Sequence, residues 1–282
     1  MQHCPARSND CRRSPGRPAF SLIELLIVIA IIAILATMSL PALSRAKSRA
    51  WSVACLNNLK QLQLCYHLYA MDNDDRLPPN NFVYDIITQQ PMDQGTSWCT
   101  NLAPFDVDPA GIQNGLLFQY NTSIPIYHCP ADLSTVQTRQ GTILTQPRLR
   151  SYNMSQSVNG VSYDGTSTLA AYTPHYSKYT QIKRPLPSDL LVFLDVHENE
   201  ILDTMFGIPV ETYSWDYGYW WDLPANRHSQ GCNFSFADGH AEHWRWAVPK
   251  RVTVPRGSQQ PVAFGEWDDY SRMQAGFLQN FN

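Results

Sequence analysis

The chain has 282 residues, 44% of them hydrophobic, and a formal net charge of −3. That length holds one sizeable core, or a small domain on a long helix, and is a tight fit for a two-domain enzyme. The slightly acidic balance lacks the basic face of a nucleic-acid binder, and no repeat or low-complexity segment is present.

The charge is uneven. Arg7, Arg12, Arg13 and Arg17 against the single Asp10 make residues 1–19 a basic leader. A basic head before an apolar run stays cytoplasmic under the positive-inside rule. From Phe20 to Leu40 the only charge is Glu24, and about 20 apolar residues at ~1.5 Å rise span a bilayer core. Residues 20–41 therefore predict a single-pass membrane helix, N-terminus cytoplasmic, with the rest of the chain on the far side. Two ordinary readings compete. A signal peptide has a shorter apolar region of about 7–15 residues, no internal carboxylate and a small-residue cleavage site, for which Ala42-Leu43-Ser44 is the candidate. A plain anchor accounts for length and flanks but not for Glu24, since a carboxylate in lipid costs roughly 2.5–3.5 kcal/mol and calls for a partner.

The stretch Ala19-Phe20-Ser21-Leu22-Ile23-Glu24-Leu25 resembles the processing site of type IV prepilins and type II secretion pseudopilins. The resemblance implies cleavage between Ala19 and Phe20 by a prepilin peptidase and methylation of the new amine. It also implies that Glu24, at the fifth mature position, pairs with the N-terminal amine of a neighbouring subunit. A helix-bending proline at the twenty-second mature position has its counterpart in Pro41. One departure is Ala19, where the family usually has Gly.

Beyond Pro41 a helical period continues as residues 42–76. Val53, Leu56, Leu59, Leu62, Tyr66 and Tyr69 recur at three- and four-residue steps, with Lys47, Arg49, Asn57, Lys60 and Gln63 on other faces. One helix from about Phe20 to Met71 is predicted, its second half packed on a sheet. Asp72-Asn73-Asp74-Asp75 ends it and Pro78-Pro79 forbid continuation. That acidic cluster lacks the Gly and terminal Glu of an EF-hand loop and reads as a solvated helix end.

Residues 77–282 read as a globular domain of short strands. Candidates are Gly115–Phe118, Leu190–Leu194 and Cys232–Phe236, the last a half-buried strand turning at Asp238-Gly239 into a hairpin. Residues 135–183 read as loop. The fold class is α+β, pilin-like, with a long N-terminal helix on an antiparallel sheet.

His228, nine intervening residues and Asp238-Gly239 resemble the H-X9-DG domain of prepilin-type proteins of planctomycete and verrucomicrobial kind. Asn57–Leu62, Tyr127–Asp132 and Ser151–Met154 also look like that group. Two readings stay open for this motif. Either Asp238-Gly239 makes the turn while His228 bonds to backbone, or Asp195, His197, Glu198, His228, Asp238 and His240 supply ligands to a metal. Major pseudopilins bind calcium, so the resemblance names calcium first. Nothing marks an enzyme: there is no nucleophile elbow, phosphate loop or HExxH.

Cys55 and Cys65 stand about 15 Å apart along one helix, too far for a bridge. Cys99 with Cys129 is the disulfide expected in an oxidising compartment, although spacing does not fix connectivity. Trp215, Trp220, Trp221, Trp244 and Trp246 read as core and sheet cover. The functional expectation is a filament subunit whose partners are the peptidase, other subunits and an inner-membrane assembly platform. The alternatives are a membrane-anchored ligand- or metal-binding protein that uses the signal only for targeting, and an extracytoplasmic metal enzyme using His228 and Asp238.

Overall fold

A computed structural model describes residues 21–85, 88, 90–159, 174–210, 217–254 and 259–280. The chain divides into two compact units, Met1–Ala46 and Lys47–Asn282. The described part of the first unit is the start of α1 (Leu22–Asp72), a 51-residue helix that is long and apolar enough to cross a membrane. Its large apolar side chains from Leu22 to Leu43 are exposed, a row that needs lipid or other subunits to cover it. The hydroxyls of Thr37 and Ser39 donate to Ile34 O and Leu35 O, each at 2.8 Å. Polar groups satisfied within the helix suit a lipid environment. The helix runs through Pro41, whose ring nitrogen has no hydrogen to donate.

In the second unit α1 buries Cys55, Leu59, Leu62, Gln63, Cys65, Tyr66 and Ala70. The predicted stripe is correct at its centre but rotated at its start, where Val53 is exposed and Cys55 takes the inward position. Asp74 and Asp75 end the helix in left-handed conformations, φ 53° and 68°, and Asp75 N–H caps Ala70 O at 2.9 Å. The Asp75 carboxylate accepts from Thr180 N at 3.1 Å. The acidic cluster is thus a helix end.

The strands follow in chain order. An antiparallel ribbon pairs β1 (Asn80–Tyr84) with β2 (Pro91–Ser97). After the single turn α2 (Ala110–Gln113), a second ribbon pairs β3 (Thr135–Gln137) with β4 (Ile143–Pro147). Next come β5 (Tyr152–Ser155), β6 (Leu191–Asp195), β7 (Met205–Phe206), β8 (Tyr219–Trp220), β9 (Gly231–Phe236), β10 (Ala241–Arg245) and β11 (Gln260–Pro261). Helix α3 (Trp267–Ala275) follows. The main sheet has the order β10-β9-β6-β5-β7, antiparallel except where β7 runs parallel to β5. Strand β11 pairs with β8 apart from it.

Both faces of this sheet are covered. On one, Cys55, Leu59, Leu62 and Tyr66 of α1 share a core with Tyr152, Met154, Val192 and Phe193. On the other, Leu191, Leu194, Phe234 and Phe236 pack with Trp220, Trp244, Trp246, Tyr270 and Met273. Burying each such large side chain contributes about 1.5–3 kcal/mol. Strand β6 serves both cores because its register with β9 shifts between Leu191 and Leu194, which places Asp195 toward α1.

Three sequence expectations need correction. All six residues of β9 are buried, not every second one. The two-sided cover explains this: Ser235 donates to Gln63 Oε1 at 3.0 Å and Asn233 to Ser52 O at 3.2 Å on the α1 side, while Phe234 and Phe236 fill the other. Gly115–Phe118 is a turn, not a strand. A Cβ on Gly115 would lie 2.3 Å from Trp98 O, and that close backbone approach replaces ladder pairing. The described residues of 135–183 hold three strands, and β5 lies inside the main sheet. The tryptophans fit their reading as core at Trp220, Trp244 and Trp246, all buried; Trp215 lies outside the described residues.

The β9–β10 hairpin turns through Asp238-Gly239, with Gly239 at φ +102° and its N–H on Phe236 O at 2.9 Å. A Cβ there meets only His67 Nε2, at 3.4 Å, so the strain of a Gly239→Ala change is conformational. We expect a cost of about 1–2 kcal/mol, read as a lower urea midpoint at constant slope. An unchanged midpoint would contradict it.

Candidate functional site

Ala19 and Phe20 lie outside the described residues. Immediately after them, Glu24 Oε2 accepts the backbone N–H of Ser21 at 2.9 Å. Ser21-Leu22-Ile23-Glu24 matches the sequence of a capping box, in which the third residue's carboxylate reaches back to the cap. The only carboxylate of the apolar segment is thereby turned toward the helix N-terminus.

The second cluster is built on backbone strain. Arg227 and Gly231 exchange both backbone hydrogen bonds, at 2.8 and 2.7 Å, around a tight loop. His228, Ser229 and Gln230 in that loop all have left-handed φ, 54°, 68° and 65°. Each costs roughly 1–2 kcal/mol for an L-residue, and such strain persists where the surroundings fix it. Gly231 closes the loop because a Cβ there would lie 2.3 Å from Trp244 O. The loop sends His228 inward, leaving it 7% exposed.

There His228 Nε2 lies 3.2 Å from Cys129 Sγ and 3.8 Å from Asp195 Oδ2. Cys55 completes the group from α1, and Tyr152 OH donates to its sulfur at 3.2 Å. One donor atom from each of Cys55, Cys129, Asp195 and His228 lies within 4.8 Å of every other, and all four residues are buried. Asp195 Oδ1 takes the Arg227 Nη1 donor, while Oδ2 has no donor in hydrogen-bonding geometry.

Arg227 is the hub behind this group. It also donates to Val196 O at 3.1 Å and Glu198 Oε2 at 3.0 Å, and lies 3.2 Å from Asp132 Oδ2. Asp132 is fixed by Ser151 Oγ at 2.7 Å and Ser134 N at 3.0 Å. Burial pushes the Asp195 carboxyl up to about 7 although Arg227 pulls it down. Burial, reinforced by Arg227, holds the His228 imidazole down at about 4. Burial likewise raises the Cys129 thiol far above its ordinary range. The donors are of metal-binding types, and their burial closes them to substrate.

Sequence reasoning set His228 and Asp195 among the candidates and the structure brings them together. It does not bring Asp238 or His240 to them. The nine residues between His228 and Asp238 include all of β9, six residues that at ~3.3 Å each span about 20 Å. Asp238 and His240 pair with each other at 2.6 Å, half exposed, and His240 stacks on Phe236 at 4.2 Å between ring centroids. Glu198 is tied to Arg227, and His197 Nδ1 accepts from Asn199 N at 3.2 Å. The expected Cys99–Cys129 bridge is absent: both thiols are free, Cys99 Sγ on Gly111 O at 3.7 Å and Cys129 on His228. Cys55, Arg227 and Asp132 were missed as site residues. Asp132 and Cys129 share the Tyr127–Asp132 stretch, and Arg227 adjoins His228; Cys55 carried no local signal.

Residues 16–40 match the family model of the prokaryotic N-terminal methylation motif. Competence protein ComGC of Halalkalibacterium halodurans is 39% identical over 61 residues, which is 22% of this chain and 59% of that relative. The chain thus spans about three fifths of that relative's length. No solved structure matches the chain. The motif stands at the start of a long apolar helix with a β-rich α+β domain after it, and the N-terminal segment of the chain is similar to those of prepilin-like proteins.

Proposed function

We propose that the chain is a pilin-like subunit of a type IV pilus or type II secretion-like filament, cut between Ala19 and Phe20 by a prepilin peptidase and methylated there. Residues 20–41 hold it in the inner membrane until an assembly platform transfers it to a filament of like subunits. The supporting observation is the methylation motif lying on a helix whose exposed apolar row has one carboxylate, turned toward the N-terminus. In lipid that carboxylate calls for a cationic partner, and the amine of a neighbouring chain supplies one. The buried cluster around His228 supports a second reading, a membrane-anchored metal-binding protein that does not polymerise.

The test is the N-terminus and intact mass of the protein recovered from membranes, with and without active prepilin peptidase. We expect a chain starting at N-methylated Phe20 only when the peptidase is active. A chain starting at Met1 in both strains, or after Ser44, would sink the processing route.

A further inference from the structure

We propose that Cys55, Cys129, Asp195 and His228 are the four ligands of a structural zinc ion that fastens the lower half of α1 to the main sheet and to the strained His228 loop. The inference goes beyond the filament reading and does not depend on it.

Four observations carry it. First, the geometry fits. Ligands at about 2.0–2.3 Å from a tetrahedral ion lie roughly 3.3–3.8 Å from one another. His228 Nε2 stands 3.2 Å from Cys129 Sγ and 3.8 Å from Asp195 Oδ2, with every pair of donors inside 4.8 Å. Second, Asp195 Oδ2 is fully buried, faces the group and has no donor in hydrogen-bonding geometry. A native core leaves few such atoms unsatisfied, and a cation at the centre of the four satisfies this one.

Third, the donor set selects the ion. Two sulfurs and an imidazole suit zinc, whereas calcium takes six to eight oxygens, so the calcium suggested by family resemblance is not the ion for this group. Two thiolates and a carboxylate leave a zinc centre one unit negative, and Arg227, shared with Asp132 and Glu198, places a positive charge against Asp195 Oδ1 beside it. All four positions are filled by protein, the mark of a structural site. Fourth, the four residues come from distant parts of the chain: α1, the turn before Asp132, the end of β6 and the 227–231 loop. One ion replaces several weak contacts among them and maintains the three left-handed residues.

The test uses full-length protein purified in detergent under reducing conditions without chelator. We expect one zinc per chain by mass spectrometry of the metal. Cobalt(II) reconstitution is expected to give the intense ultraviolet thiolate-to-metal band together with the strong visible bands of a tetrahedral ion. Cys129→Ser and His228→Gln are expected to lower zinc affinity more than about 100-fold, beyond what loss of an outer-shell partner does. Cys99→Ser, a buried cysteine outside the group, is expected to retain the ion.

Absence of stoichiometric zinc together with absence of the cobalt bands in the wild-type protein overturns the proposal, and this readout needs no variant to fold. So does a Cys55–Cys129 disulfide found as the resident state in protein taken directly from cells. Equal zinc binding by wild type, Cys129→Ser and His228→Gln would show a surface ion and also overturn it.

Discussion

Arg150→Met is expected to destabilise the second unit by about 3–5 kcal/mol, the range for removing one member of a buried charged network. Arg150 is fully buried just before β5. Its Nη1 donates to Tyr152 O at 2.8 Å and to the Asn153 side chain. Its Nη2 donates to Asn101 O at 2.9 Å, Asp203 O at 2.6 Å and Leu202 O at 3.4 Å. Burial lowers its pKa, with Cys99, Asp203 and Asp106 pulling the other way, yet a guanidinium stays charged in proteins. The side chain therefore ties the segments around 101 and 203 to the start of β5 through carbonyls. Methionine fills similar volume but leaves those carbonyls without donors, each a cost of about 1–3 kcal/mol when buried. Urea titration followed by tryptophan fluorescence in detergent reads the change. Arg150→Lys, with charge but fewer directed donors, is expected to fall between. A loss under about 1 kcal/mol for Arg150→Met would show that water replaces the guanidinium at no cost.

Features that obey a local rule were legible in the sequence. The helix Leu22–Asp72 was visible because apolar length, three- and four-residue steps and a proline stop all act along the chain. Strand β6 was visible as a short apolar run, and the hairpin turn as Asp-Gly. Strand β5 was not, because Asn153 and Ser155 are polar yet buried, Asn153 with its amide on Met205 O at 2.7 Å. Such residues look like loop until distant partners are known. The candidate metal group was half legible for the same reason. His228 and Asp195 stood out by type, but the motif's regular spacing suggested Asp238 as their companion, and the extended β9 carries Asp238 away. Cys55 joins only through the packing of α1 on the sheet, and three consecutive left-handed residues have no signature when none is glycine.

Glu24 provides the prediction that separates assembly from local helix chemistry. In the filament reading, Glu24→Ala and Glu24→Gln both leave cleavage before Phe20 intact and lower incorporation into filaments on the order of 100-fold. Each strands a neighbour's ammonium at membrane depth, where an unpaired charge is expensive. In the local reading, Glu24 does no more than accept Ser21 N–H at 2.9 Å. Glutamine performs that role in a capping box almost as well as glutamate, so Glu24→Gln would then behave as wild type while Glu24→Ala lost part of the first helical turn. The measurement is the ratio of sheared filament protein to membrane-retained processed protein for both variants. The two substitutions share the loss of charge and differ in the cap, so the electrostatic requirement predicts that they fail together. Normal incorporation of Glu24→Gln would assign the carboxylate to its own helix and remove the inter-subunit pairing from the account.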